Sequence, residues 1–245
     1  MKTIICQGKE FANIEAIIFD KDGTLADSEN FLRELALKRA RLVDAKIPGI
    51  GEPLLMAFGA ERDYLNPTGL MAVGSHQENL LVTAGYIAET GKSWFEAREI
   101  ARQCFADADR ALPNRGNTSP LFAGSLEVLT KLSSAGLKLG ILSADSTEGV
   151  REFVTTHELT PYINFIMGVD GALSKPDPRL FRQACEKMGV NPSHTLMVGD
   201  SLNDIMMAKE AEGAGAIGIC WKIANATHLQ GADVVIADLA MIQLS

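Results

Sequence analysis

One stretch constrains the fold more than any other: Ile14-Glu15-Ala16-Ile17-Ile18-Phe19-Asp20-Lys21-Asp22-Gly23-Thr24-Leu25. A short apolar run rich in Ile and Phe stops abruptly at two aspartates one residue apart. The run is too short for a typical helix, and Gly23 frees the backbone to turn. It therefore reads as a buried strand whose carboxyl end delivers Asp20 and Asp22 to a loop. In open α/β sheets that edge is where ligands bind, so the two acids are placed for chemistry.

The pattern after this strand divides the chain. A helix is predicted over 31–43, with apolar residues at 31, 32, 35, 36, 42 and 43, and further helices over 77–89 and 93–111. Pro48-Gly49, Pro53 and Asn66-Pro67-Thr68-Gly69 interrupt this helical region, and 113–120 reads as a linker. From residue 121 onward, helices (124–135, 147–156, 178–188, 202–211) alternate with short apolar strands (138–142, 165–169, 195–198, 216–219, 234–236). Such alternation implies a parallel sheet with helices on both faces. The first strand belongs to that sheet. Residues 1–26 plus 117–245 are thus expected to form an α/β core, and 27–116 a helical domain inserted into it.

Composition narrows the function. At 245 residues, with 47% hydrophobic and 22% charged residues, the chain can bury a substantial core. A formal net charge of -8 argues against nucleic-acid or anionic-membrane partners, which need a basic surface. No apolar stretch approaches the roughly 20 residues that span a bilayer, and the N-terminal apolar segment is too short for a secretory signal. Cys6, Cys104, Cys185 and Cys220 are scattered without a C-x-x-C pair, so neither a zinc site nor a disulfide framework is indicated and a reducing cytoplasm is expected. Gly213-Ala214-Gly215-Ala216-Ile217-Gly218 matches G-x-G-x-x-G but precedes a strand instead of opening a helix, which removes the physical basis for dinucleotide binding. A calcium loop starting at Asp20 would need Gly where Leu25 stands and Glu where Phe31 stands.

Several other strands end in polar residues at the same edge. The strand over 138–142 runs into Ser143 and Ala144, and that over 195–198 into Gly199-Asp200-Ser201-Leu202-Asn203-Asp204. Ser174-Lys175-Pro176-Asp177-Pro178 opens a helix: Pro176 holds Lys175 extended, Asp177 can cap, and Pro178 suits the first helical position. A parallel sheet would gather Asp20, Asp22, Ser143, Lys175, Asp200 and Asp204. Two carboxylates about 4 Å apart repel by roughly 4 kcal/mol at an effective dielectric near 20, and one lysine cannot compensate four acids. A hard divalent cation bound through oxygen is the remedy. Mg²⁺ is favoured because it takes a few carboxylates plus water and phosphate oxygens.

This constellation resembles the haloacid dehalogenase superfamily of aspartate-nucleophile phosphatases. Its D-x-D-G-T motif stands as Asp20-Lys21-Asp22-Gly23-Thr24, its hydroxyl residue as Ser143, its lysine as Lys175, and its final acidic motif as Gly199-Asp200-Ser201-Leu202-Asn203-Asp204. The resemblance covers residues 13–240 and is nearest to phosphoglycolate phosphatase-like and phosphosugar-acting members. It implies a doubly wound, Rossmann-like parallel-sheet core with an inserted α-helical cap. It further implies that Asp20 attacks phosphorus and that Asp22 protonates the leaving alcohol, a step that dehalogenases lack. Mg²⁺ would be held by Asp20, the backbone carbonyl of Asp22, and Asp200, with Asp204 a direct or water-mediated partner. Ser143, Ala144, Gly23, Thr24 and Lys175 would contact the phosphoryl group.

Substrate choice is expected in the cap. Ser75-His76-Gln77-Glu78 has the form of a capping box, which makes Ser75 a helix cap. His76 would then lie in the first helical turn, where an anionic substrate could meet it, and Arg62 is a second candidate contact. Lys21 is expected to point away from Asp20 and Asp22 by strand alternation, and Asn203 to bond within its loop. His157, His194 and His228 lack metal-ligand spacing and read as surface or capping residues. The expected partner is a small phosphorylated metabolite, bound by a monomer or homodimer whose cap bends near Asp27-Ser28 and Asn114-Arg115-Gly116. Two other readings use the same acids: a phosphosugar mutase, and a receiver-like regulatory phospho-acceptor, which would lack the large helical insert.

Overall fold

The computed structural model describes residues 1–61, 63–112, 119–171, 173–221 and 226–245. The chain begins with a hairpin, β1 (Lys2–Cys6) and β2 (Lys9–Ile14), turned by Gln7 and Gly8, both at positive φ (48° and 81°). Such a pair of residues suits the tight turn that matches strand twist. β3 (Ala16–Phe19) follows, and the chain then leaves the sheet for a helical segment before returning.

All of β3 is buried, and its alternation separates two cores. Ile17 and Phe19 pack with Val128, Leu132 and Phe153, whereas Ala16 and Ile18 pack with Phe181, Ala184 and Ile205. This is why the strand is apolar without a break: it is covered on both faces. The first group comes from helices α6 (Ser125–Ser134) and α7 (Thr147–Thr156), the second from α8 (Pro178–Met188) and α9 (Leu202–Glu210). The sheet holds β3 with β4 (Lys138–Leu142), β5 (Phe165–Met167), β6 (Thr195–Gly199), β7 (Gly215–Ile219) and β8 (Val234–Ile236). Its order is β5-β4-β3-β6-β7-β8, and every pairing is parallel. β3 lies between β4 and β6, with Phe19 level with Ile141 on one side and Val198 on the other.

Two differences from the sequence expectation have local causes. The strand expected over 165–169 ends at Met167, because Gly168 donates to the Thr147 hydroxyl (2.9 Å) and Val169 to the Asp145 carbonyl (2.8 Å). A second sheet, antiparallel and ordered β2-β1-β9, joins the N-terminal hairpin to β9 (Ile242–Leu244). Phe11 of β2 reaches the parallel sheet at Gly215, where a Cβ would stand 2.5 Å from its ring.

These elements form one compact unit, Met1–Asp27 with Pro120–Ser245, and Ser28–Ser119 form another. The second holds α1 (Glu29–Lys46), α2 (Gly51–Phe58), the single turn α3 (Leu70–Val73), α4 (His76–Glu89) and α5 (Trp94–Ala111). Its core follows helical spacing: Leu35, Ala36, Ala40 and Val43 on α1, Leu80, Ala84 and Ile87 on α4, Ala97, Ala101, Phe105 and Ala108 on α5. Ser75–Glu78 and Ser93–Glu96 close capping boxes that start α4 and α5. Among the described residues no helix is long and apolar enough to cross a membrane.

Candidate active site

The ladder between β3 and β6 continues one step past Phe19, through the bond from Asp20 N–H to the Val198 carbonyl (2.8 Å). The chain then folds into a tight turn. The N–H groups of Thr24, Leu25 and Ala26 all donate to the Lys21 carbonyl, and Gly23 N–H donates to Ala26. The turn needs Gly23 for two reasons. Its φ is +78°, and a Cβ there would stand 2.0 Å from Asp200 Oδ2. The missing side chain is the space that the Asp200 carboxylate occupies.

Asp200 follows the end of β6, and Ser201 caps α9, accepting from Asp204 N–H while donating to Asp204 Oδ2 at 2.5 Å. The other oxygen, Asp204 Oδ1, accepts from Lys175 Nζ at 2.6 Å, and the same ammonium donates to Asp20 Oδ1 at 2.6 Å. Lys175 is set by the segment before α8, which Asp177 caps by accepting from Arg179 N–H, with Pro178 at the helix start. The Lys175-Pro176 peptide is cis. Asp20, Asp200 and Asp204 each place a carboxylate oxygen within 4.8 Å of the others.

Burial governs the electrostatics here. It pushes the Asp20 carboxyl up to about 7; Lys175 opposes this, and Asp204 and Asp22 add to it. Asp200 is raised well above the ordinary carboxylate range by burial, with the charges of Asp20 and Asp204 acting the same way. Burial disfavours the Lys175 ammonium too, yet Asp20 and Asp204 hold its pKa above the ordinary lysine value. Negative charge exceeds positive charge in a dry place, and every donor is oxygen. That donor set fits a hard divalent cation such as Mg²⁺. With both oxygens of Asp204 engaged by Lys175 and Ser201, Asp20 and Asp200 are the carboxylates best able to hold it, while Asp204 orients the lysine.

Asp22 lies outside this carboxylate group, and the expected orientation of Lys21 is corrected by the structure. Lys21 Nζ is 2.9 Å from Asp22 Oδ1 and 2.7 Å from Oδ2, and 3.2 Å from Asp145 Oδ2. Alternation fails because the strand ends at Phe19 and the turn rotates the backbone. Ser143, buried, sits past β4 at the level of Lys21 by register; its N–H donates to Met167, and its Oγ accepts from Asp145 N–H (3.1 Å). Half-buried Ala144 lies between Ser143 and Asp145. The N–H groups of Gly23 and Thr24 bond inside their turn, while the Thr24 hydroxyl is buried without a hydrogen-bond partner among the described residues.

The expected cap contacts fare differently. His76 opens α4, exposed, with Nδ1 3.4 Å from an Arg39 nitrogen and its ring edge-to-face with Phe105 at 5.5 Å. It thus belongs to a charged cluster inside the helical unit. Arg62 and the bend expected at Asn114-Arg115-Gly116 lie outside the described residues. Asn203 is in the first turn of α9, His157 caps α7 against Phe153, His194 stands 3.6 Å from Glu15, and His228 lies in a single helical turn. Sequence reasoning passed over Asp145 and Arg39 and gave Ser201 no role of its own. The signals were present: Asp145 is two residues beyond Ser143, Ser201 and Asp204 have capping-box spacing, and Arg39 falls on the apolar face of α1 between Leu35 and Val43.

Comparison with known proteins decides the family. Residues 14–212 match the model of the haloacid dehalogenase-like hydrolases. The chain belongs to that family. Among curated relatives of this hydrolase, a phosphoglycolate phosphatase from Vibrio vulnificus is 29% identical over 209 residues, covering 85% of this chain and 84% of the relative. One from Aliivibrio fischeri is 30% identical over 202 residues, covering 82% of each. A crystal structure of a predicted phosphoglycolate phosphatase from Haemophilus somnus superposes with TM-score 0.67 at 21% identity, covering 94% of this chain and 96% of that one, and shows the shared fold.

Proposed function

We propose that this hydrolase is a Mg²⁺-dependent phosphatase of small phosphomonoesters, working through an aspartyl-phosphate on Asp20. The observation that carries the reading is the position of Asp20: fixed at a strand end, bonded to Lys175 at 2.6 Å, and grouped with Asp200 beside a residue with no Cβ. An Asp20 oxygen forms a bond to phosphorus while the bond from phosphorus to the alcohol oxygen breaks, and Asp22 gives that oxygen its proton. Asp22 then takes a proton from water, whose oxygen attacks phosphorus and frees the Asp20 carboxylate and inorganic phosphate. Lys175 holds the nucleophile and offsets charge developing on the phosphoryl oxygens, to which Ser143 can donate. Bound Mg²⁺, held by Asp20, Asp200 and the Asp22 carbonyl, would supply charge neutralisation on those oxygens.

The names of the curated relatives support a small acid such as 2-phosphoglycolate as substrate. In this reading Ser28–Ser119 form a cap that keeps water out until the alcohol has left. A screen of 2-phosphoglycolate, hexose and pentose phosphates and nucleotides should find phosphate release that requires Mg²⁺. Asp20→Asn should abolish it, and turnover by that variant or in excess chelator would overturn the mechanism. Conversion of a hexose phosphate to its isomer, without phosphate release, would move the assignment to a mutase.

A further inference from the structure

Asp22, the proton carrier of the proposed reaction, stands one residue from a lysine that has no role in that reaction. Lys21 is buried, its side chain only 8% exposed, and its ammonium meets both oxygens of Asp22, at 2.7 and 2.9 Å. It is held in turn from the neighbouring loop. Asp145 Oδ2 lies 3.2 Å away, and the Phe153 ring centroid 5.8 Å away on the other contact. Asp145 itself has little freedom. Its Oδ1 accepts from Ser146 N–H (2.7 Å), its carbonyl accepts from Val169, and a Cβ on Gly149 would stand 2.3 Å from its Oδ2. A surface lysine would be mobile and hydrated; this one is fixed at both ends.

We infer that Lys21 is a positioning residue for proton transfer, a clamp anchored on Asp145 that holds the Asp22 carboxyl in one orientation. The chain of contacts runs from Asp22 through Lys21 to Asp145, whose N–H donates to Ser143 Oγ. One strut therefore ties the proton carrier after β3 to the hydroxyl after β4. The step served is the first, which needs Asp22 protonated on one oxygen while Lys21 keeps its bond to the other: as the bond from phosphorus to the alcohol oxygen breaks, its electron pair goes to that oxygen, which takes the proton from Asp22, while Asp20 forms the new bond to phosphorus. Orientation of the proton carrier matters most when the leaving alcohol is a poor one, because an unprotonated alkoxide is costly and a nitrophenolate is not. The inference rests on the phosphatase reading, so its test carries one arm that does not depend on turnover.

The variants are Lys21→Met, Lys21→Arg and Asp145→Asn, each checked by its unfolding midpoint. With Mg²⁺, Lys21→Met should lower kcat on an alkyl phosphate by roughly tenfold to a hundredfold more than on p-nitrophenyl phosphate, with KM nearly unchanged. Lys21→Arg should restore most of the loss, and Asp145→Asn should reproduce part of it. Equal losses on both substrates, or an effect confined to KM, would overturn the clamp. The second arm is a pair of crystal structures. In Lys21→Met the Asp22 carboxyl should leave its wild-type rotamer, and an unmoved Asp22 overturns the clamp whatever the kinetics. A wild-type protein that releases no phosphate, paired with a displaced Asp22 in the variant, would instead overturn the phosphatase reading and leave the clamp standing.

Discussion

The two units each bury a cluster of charge, and the clusters differ in make-up. In the α/β unit the carboxylates of Asp20, Asp200 and Asp204 lie together and, among the described residues, Asp20 and Asp204 pair with the ammonium of Lys175. In the helical unit the guanidinium of Arg39, 3% exposed, meets Asp109 at 3.3 Å and His76 at 3.4 Å, with Cζ 4.0 Å from the Phe105 centroid. An arginine can only donate, so His76 Nδ1 faces Arg39 as an acceptor. In these contacts one cation faces one carboxylate. Arg39 is held within the helical core by an ion pair and a cation–π contact. The three carboxylates grouped in the α/β unit fit a hard divalent cation.

The comparison is broken most severely at Gly23. Gly23→Ala puts a methyl group where the Asp200 carboxylate lies, in a backbone conformation that L side chains rarely adopt. Either the turn or Asp200 must move, and misplacement by about 1 Å can cost on the order of a hundredfold in rate. At least that loss of kcat is expected, together with weaker Mg²⁺ binding by calorimetry; wild-type affinity would show that Asp200 does not hold the cation. A smaller effect is expected at the Arg39 cluster. Arg39→Met removes a cation that pairs with Asp109, but the Asp109 side chain is 27% exposed and keeps part of its water. A loss of about 2 kcal/mol of stability follows, read by denaturant unfolding, with Mg²⁺ affinity unchanged. A Mg²⁺ affinity that falls with Arg39→Met would erase the distinction between the clusters.

Much of the site was legible because each of its residues carries its own local signal. Asp20, Ser143 and Asp200 each follow an apolar run that is too short for a helix, and Lys175 precedes a proline-marked helix start. In a parallel sheet those signals meet at one edge by topology alone. What escaped depends on partners distant in sequence. β9 pairs with β1 across almost the whole chain, and neither is long enough to announce itself. Gln7-Gly8 is a weaker turn signal than Asn-Gly, which hid the hairpin. Lys21 escaped for a different reason: period-two alternation holds only while the strand lasts, and β3 ends two residues before it. Arg39 sat in view on an apolar stripe, where its charge argued for the solvent face unless Asp109 was known to be near.

The finest test of the difference between the clusters is the pH dependence of stability without metal. Asp20 has a folded-state value of about 7 against an ordinary 3.8, so between those values the folded protein binds more protons than the unfolded chain. Stability contributed by this group is therefore full at the acid end of the window and is lost as pH rises toward 7. Its slope is at most about 1.4 kcal/mol per pH unit for one carboxyl. In chelator, the wild-type protein should thus lose stability relative to Asp20→Asn as pH is raised from 5.5 to 7.5. Saturating Mg²⁺ should reverse that relative trend, because bound cation favours the ionised carboxylate and its affinity grows as the proton leaves. The Arg39 cluster, in which the described carboxylate is that of Asp109 alone, is expected to supply no such metal-dependent slope. If the pH difference between wild type and Asp20→Asn is the same with and without Mg²⁺, Asp20 is not among the cation's ligands, and the charge of the grouped carboxylates must be met in some other way.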